Sequence, residues 1–350
     1  MKGRGILAVA VVVVVAAAVA AFFWTRGAGK RQLHVYNWAD YMDPAVIAQF
    51  EKENDCEVVV DTFDSNEAMY ARIKAGATGY DVVFPTSYMA AVMQAQGMLV
   101  TLDPGALPNL RHVDRSFTAL TEDPEMRHSV PYLVSVTGIG YDAKKLGDLE
   151  PSWGVFGRAD LAGRMTMLND MREAIGAALK FLGYSYNSTN PEELARAKEL
   201  LLSWKPNLAR FDVDEAKRGL GSGEFQVVHG YNGDILQVIE ENDAIAFTVP
   251  REGTAIASDN MAILKGAPEP ALAHAFIDFL LRPDIAAKNM EHVQYRAPNV
   301  EAVKLVSQEL RENPAVFLDP EILGKSEMIR DLGANNKLYT EVWDAVKGGK

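Results

Sequence analysis

From Gln32 to the carboxyl end, short apolar runs alternate with amphipathic stretches, and this alternation restricts the chain to an α/β sheet with crossover helices. Residues 33–38 (LHVYNW) read as the first strand, and a helix follows from Pro44 with Asp43 as its N-cap. Residues 58–60 and 81–84 read as further strands, with helices over 67–75 and 88–96. A second series opens near Gly140, with strands at 165–168 and 225–228 and helices at 172–182, 191–204 and 235–240. At 350 residues the chain is twice the size of a typical single domain, which suits two such units.

Two long extended runs join the series. Residues 130–141 (VPYLVSVTGIGY) lack the composition of a flexible linker and read as chain passing from one lobe to the other. Residues 255–264, ahead of a helix ending at Leu281, read as the return crossing. Two crossings make each lobe discontinuous, here 31–136 with 257–300 and 137–256 with 301–350. That is the topology of two lobes closing on a ligand about a hinge.

The amino terminus supplies an address. Residues 6–24 form an unbroken apolar run preceded by Lys2 and Arg4, so residues 1–30 read as a signal peptide or a signal anchor. Ala18, Ala20 and Ala21 offer small residues for cleavage, which is the preferred reading. The run is also long enough to span roughly 30 Å of hydrocarbon, and Arg26, Lys30 and Arg31 beyond it argue against simple cleavage. The run carries no cysteine for lipid attachment.

Charge and cysteine content exclude whole classes of function. With 35 Lys and Arg against 47 Asp and Glu the net charge is −12, which argues against nucleic acid and leaves cationic or neutral small ligands. Removing residues 1–21 leaves 33 basic side chains against 47 acidic ones, a charge of −14. The single cysteine, Cys56, allows neither an internal disulfide framework nor a cysteine-based zinc site. The histidines 34, 112, 128, 229, 274 and 292 show no metal-ligand spacing, and neither a G-x-S-x-G elbow nor a Walker A loop occurs. Gly138-Ile139-Gly140 lacks the third glycine of a dinucleotide loop and reads as strand or turn. No cofactor is implied.

Several polar and aromatic residues fall just past the carboxyl ends of the expected strands, where ligands bind in open α/β sheets. Trp38, Asp40 and Tyr41 follow the first strand, Thr86 and Tyr88 follow Phe84, Asp170 and Glu173 follow Leu168, and Tyr231 and Asp234 follow Val228. Carboxylates with ring faces suit an ammonium ligand, since each ring face attracts a cation by about 0.5 to 2 kcal/mol. Each residue also has a plainer role. Asp40 and Asp170 can cap helices, Glu173 complements a helix dipole, and Trp38, Tyr88 and Tyr231 can be core aromatics.

The ordered set of motifs resembles the periplasmic spermidine/putrescine-binding proteins of ATP-driven importers. The resemblance runs from about Leu33 to the carboxyl terminus. It is carried by VYNWADY at 35–41, GYDVVFPTSY at 79–88, Pro131-Tyr132 with TGIGY at 137–141, GYNGD at 230–234, FLLRPD at 279–284 and YRAPN at 295–299. It implies a two-lobed periplasmic-binding-protein fold with a hinge and a central ligand cleft. By the same resemblance Trp38, Tyr41, Thr86 and Tyr88 border a polyamine chain, Asp170 and Glu173 bind amino groups, and Asp234 matches an aspartate of the putrescine-binding branch. Asp259 matches the central aspartate and Tyr295 a cleft tyrosine; composition and spacing alone leave Asp259 an ordinary turn residue.

The departures bear on specificity. Tyr231 stands where the family has tryptophan, Ala257 where it places an aromatic against the ligand's methylenes, and Ile329 near a glutamine of the spermidine branch. Such a site admits a bulkier cation, binds a polyamine less tightly, or recovers a ring from elsewhere, such as Phe247. The implied protein is a monomeric, non-enzymatic solute-binding protein of the periplasm that hands a polyamine to ABC permease subunits. A membrane-anchored polyamine sensor, or a secreted hydrolase using Asp170 and Glu173, are the rival readings.

Overall fold

The computed structural model describes residues 30–119 and 121–348. The apolar run at 6–24, expected to be a leader or anchor, lies outside the described residues. Among the described residues no helix is long and apolar enough to cross a membrane.

The strands are β1 (Arg31–Trp38), β2 (Cys56–Phe63), β3 (Val82–Val83), β4 (Ser129–Asp142), β5 (Met165–Leu168), β6 (Leu208–Asp212), β7 (Val227–Tyr231), β8 (Ile245–Thr248), β9 (Ala255–Ile263) and β10 (Glu327–Met328). They join in the order β2-β1-β3-β9-β4-β7-β5-β6, with β10 on β9 and β8 on β4. Parallel pairs β1/β2 and β1/β3 build the first half, and parallel pairs β5/β6 and β5/β7 build the second. Each parallel connection carries a helix, as a crossover requires.

β4 is the seam. Ser129 to Val136 pair antiparallel with β9, whereas Thr137 to Tyr141 pair with β7, so the ladder partner changes between Val136 and Thr137. Nearly all of β4 is buried, because both halves pack against it. Gly138 and Gly140 are strand glycines with a packing reason. A Cβ on Gly138 would lie 2.4 Å from the Phe247 ring, and one on Gly140 2.9 Å from both Ile235 and Leu220.

The first lobe closes around Leu33, Val35, Phe50, Phe84, Phe276 and Met290, with the Phe50 and Phe276 rings edge to face at 4.8 Å. The second closes around Trp153, Phe156, Ile175, Leu179, Leu201 and Tyr339. Each such fully buried side chain contributes about 1.5–3 kcal/mol of transfer free energy. The division expected from sequence needs one correction. The sequence reading places residues 301–350 in the second lobe, but Ala302, Val306, Leu310, Ala315 and Val316 are buried in the first-lobe core beside Leu33 and Phe276. From Glu327 on the chain meets the second lobe, Glu327 pairing with Lys180 at 2.5 Å and Tyr339, Val342 and Val346 packing into its core.

Two further differences have local causes. The strand expected at 225–228 lies at Val227–Tyr231, so Tyr231 ends the strand, paired with Thr137, rather than following it. β6 and the Asp214–Ser222 helix had no sequence signal. β6 is a partly exposed edge strand, and the helix carries Gly219 and Gly221 among charged residues.

Candidate functional site

A cleft of about 720 Å³, including space open to solvent, lies between the lobes. It is lined by ten of the eleven residues singled out from the sequence: Trp38, Tyr41, Thr86, Tyr88, Asp170, Glu173, Tyr231, Asp234, Asp259 and Tyr295.

The first-lobe wall is organised by Asp259 in β9. Its carboxylate accepts from the Tyr41 hydroxyl at 2.8 Å and from the Thr86 hydroxyl at 2.7 Å. Thr86 is in turn fixed by Asn66, whose Nδ2 donates to Thr86 Oγ1 at 2.9 Å and whose Oδ1 accepts from the Thr86 amide at 3.0 Å. Burial pushes the Asp259 carboxyl up to about 6, and the two hydroxyl hydrogen bonds hold it from rising further. Trp38, the last residue of β1, donates its indole N–H to the Phe84 carbonyl at 2.9 Å, which orients the ring. Tyr295 stands edge to face with Tyr41 at 5.1 Å, and its hydroxyl accepts from the Asp234 amide at 3.3 Å. Gly233 permits this approach, since a Cβ there would lie 2.3 Å from the Tyr295 ring.

The second-lobe wall is the first turn of the Met171–Phe181 helix. Asp170 caps it, Oδ1 accepting from the amides of Arg172 at 2.8 Å and Glu173 at 3.1 Å. The plain capping role and a place in the cleft therefore hold together. Glu173 Oε2 accepts from Thr137 at 2.9 Å and Tyr186 at 2.7 Å. Burial first, then the charge of Asp170, push the Glu173 carboxyl up to about 8, against its two hydroxyl donors. His229 lies 3.9 Å from Glu173, but burial drives its imidazole down to about 3, so it stays neutral and does not compensate the carboxyl. Burial also raises the Asp170 carboxyl. Arg172 lines the same wall, with its guanidinium donating to the Arg330 carbonyl and the Asn187 side chain, both at 2.8 Å.

Asp40 departs from expectation. It is absent from the lining although Ala39 and Tyr41 on either side belong to it, and its backbone is left-handed, φ 50. Its carboxylate pairs instead with Lys217 at 2.9 Å. Phe247, the suggested replacement ring, also lies elsewhere, packed over Gly138. Phe63 lines the cleft instead, tilted against Trp38 with ring centroids 4.4 Å apart. Sequence reasoning missed Phe63, Asp64, Asn66, Ser135, Arg172 and Val213. Phe63 at the end of an apolar strand was the one with a readable signal. Ala257 and Ile329 both line the cleft.

Asp170 and Glu173 do not resemble a glycosidase pair, whose carboxyls flank the bond being cut. Both arise from one turn of one helix on one lobe, and each is committed to structural hydrogen bonds. Among the described residues no cluster of potential metal ligands occurs.

Known proteins share this architecture. A putrescine/agmatine-binding protein of Pseudomonas aeruginosa is 35% identical over an alignment of 369 positions that covers 100% of both chains. A spermidine/putrescine-binding periplasmic protein of Escherichia coli is 32% identical, with 91% of this chain and 92% of that one covered. The crystal structure of a spermidine/putrescine ABC transporter substrate-binding protein from Streptococcus pneumoniae superposes with a TM-score of 0.78 at 31% identity, over 91% of this chain and 99% of that one. The model of the bacterial extracellular solute-binding proteins matches residues 45–317, and the chain belongs to that family.

Proposed function

We propose that the protein captures a linear polyamine outside the cytoplasmic membrane and delivers it to an ABC import permease. The observation that carries this reading is Asp259, a buried carboxylate held by the Tyr41 and Thr86 hydroxyls on one lobe and faced by Asp170 and Glu173 from the other. An ammonium entering there meets a preorganised acceptor whose burial makes an unpaired charge costly and a paired one strong. Rings of Trp38, Phe63, Tyr88 and Tyr231 supply faces for the methylenes and cationic ends. The names of the relatives, which bind putrescine, agmatine or spermidine, support the same chemistry.

Asp170, Glu173, Asp234 and Asp259 form the amine-binding set, with Trp38, Tyr41, Thr86, Tyr88, Tyr231 and Tyr295 as the surrounding wall. Asp234, matching an aspartate of the putrescine-binding branch, favours a diamine, while Ala257, where the family has an aromatic, leaves that wall without a ring. Ligand contacts with both lobes drive closure, because only contacts that differ between open and closed states shift that balance. The closed protein, a monomer released into the periplasm by cleavage of the leader, then docks on the permease. Calorimetric titration with putrescine, cadaverine, agmatine, spermidine and spermine tests the reading. At least one binds with a dissociation constant below about 100 μM, roughly 5 to 6 kcal/mol. Failure of all five would overturn it.

A further inference from the structure

Resting on the polyamine reading above, we propose that Lys217 is a specificity-determining residue. Its ammonium occupies the Asp40 carboxylate beside the cleft, so that this carboxylate offers no free acceptor to the additional ammonium of a ligand longer than a diamine.

Asp40 sits in sequence between Ala39 and Tyr41, both of which line the cleft. Lys217 belongs to the Asp214–Ser222 helix of the opposite lobe, which begins directly after Val213, another lining residue. Its ammonium reaches Asp40 Oδ2 at 2.9 Å and Gln237 Oε1 at 3.3 Å. Gln237 stands one helical turn beyond Asp234 on the Asn232–Glu241 helix. Its Nε2 donates to the Val293 carbonyl at 3.1 Å, which fixes the amide with its oxygen toward the lysine. Lys217 is thus held by acceptors on two elements, with its side chain only 22% exposed although Asp40 is 68% exposed.

The consequence follows from charge. A carboxylate next to the lining would recognise an additional ammonium of a longer ligand, but here an internal ammonium already satisfies it. A further ligand cation arriving at this end finds the carboxylate already neutralised and no free acceptor, which disfavours the longer ligand relative to the shorter one. Asp40 sits at a left-handed turn, φ 50, with its carboxylate against the lysine.

The test compares putrescine with spermidine by calorimetry on the exported chain. Lys217→Met keeps an unbranched apolar stem and removes the charge. It is expected to raise spermidine affinity relative to putrescine at least about fivefold, and Asp40→Asn in the same chain returns the ratio to that of the wild type. Lys217→Gln, which keeps a polar end, shifts the ratio in the same direction. An unchanged ratio in both single variants overturns the proposal, as does equal weakening of both ligands, which would make the contact a closing latch without selectivity. If the wild type binds none of putrescine, cadaverine, agmatine, spermidine and spermine, the polyamine reading falls and this inference with it; if it binds one of them but neither putrescine nor spermidine, this inference alone falls. If it binds putrescine and the ratio does not move, only this inference falls.

Discussion

At the scale of single residues, the site depends on carboxyl groups moved far from their ordinary behaviour by burial. Glu173 is the clearest, pushed by burial and then by the charge of Asp170 from an ordinary 4.5 up to about 8. Its folded value lies above its unfolded one, so between about pH 4.5 and pH 8 the folded chain holds a proton that the unfolded chain has lost. The stability from this group therefore falls as pH rises through that window. An ammonium ligand reverses the preference, because it pairs with the carboxylate. Binding at about pH 7 is expected to release a proton from Glu173, and affinity to rise from about pH 6 to pH 8. Calorimetric heats measured in phosphate and in Tris should then differ by the difference in buffer ionisation heats. Equal heats in the two buffers would show that Glu173 does not meet the ligand's charge. Such shifts were invisible in the sequence, which shows that Glu173 follows an expected strand but not that Thr137, Tyr186 and His229 enclose it.

At the scale of elements, the Met171–Phe181 helix ties local folding to recognition, since Asp170 both caps the helix and faces the cleft. The two roles separate by substitution. Asparagine caps as well as aspartate but carries no charge, whereas alanine does neither. Asp170→Asn should leave the unfolding free energy of the unliganded protein within about 0.5 kcal/mol of wild type, while Asp170→Ala loses about 1 kcal/mol. Both should weaken polyamine binding at least tenfold in titration, and wild-type affinity in Asp170→Asn would reduce this residue to a cap. Elements were legible where apolar periodicity was strong. Met165–Leu168 and Pro191–Trp204 fall where the pattern puts them, the first as a fully buried strand. β6 and the Asp214–Ser222 helix escaped because their apolar faces are short, Leu208 and Phe211 in one and Ala216 and Leu220 in the other, set among charged and glycine residues; Gly219 is there to let the Phe225 ring approach, a Cβ contact of 2.4 Å that no local pattern announces. Lys217 rides on that unforeseen helix, so its partnership with Asp40 was equally unforeseeable, and Asp40 was read as a ligand contact.

At the scale of the whole molecule, β4 joins the two halves of the sheet, pairing with β9 up to Val136 and with β7 from Thr137. The sequence announced this through two long extended runs. It did not announce that the chain after Ala302 returns to the first-lobe core before its last helix joins the second, because short apolar segments there carry no mark of which core they enter. The central claim is that the lobes close on an amine held by carboxylates from both sides. A crystal structure of the protein saturated with putrescine tests it most directly. The account predicts one ammonium nitrogen at hydrogen-bond distance, about 2.7–3.2 Å, from Asp259, with the methylene chain between the Trp38 and Tyr231 rings and the lobes closed. A putrescine bound outside this cleft, or bound in it without contact to Asp259, would contradict the account.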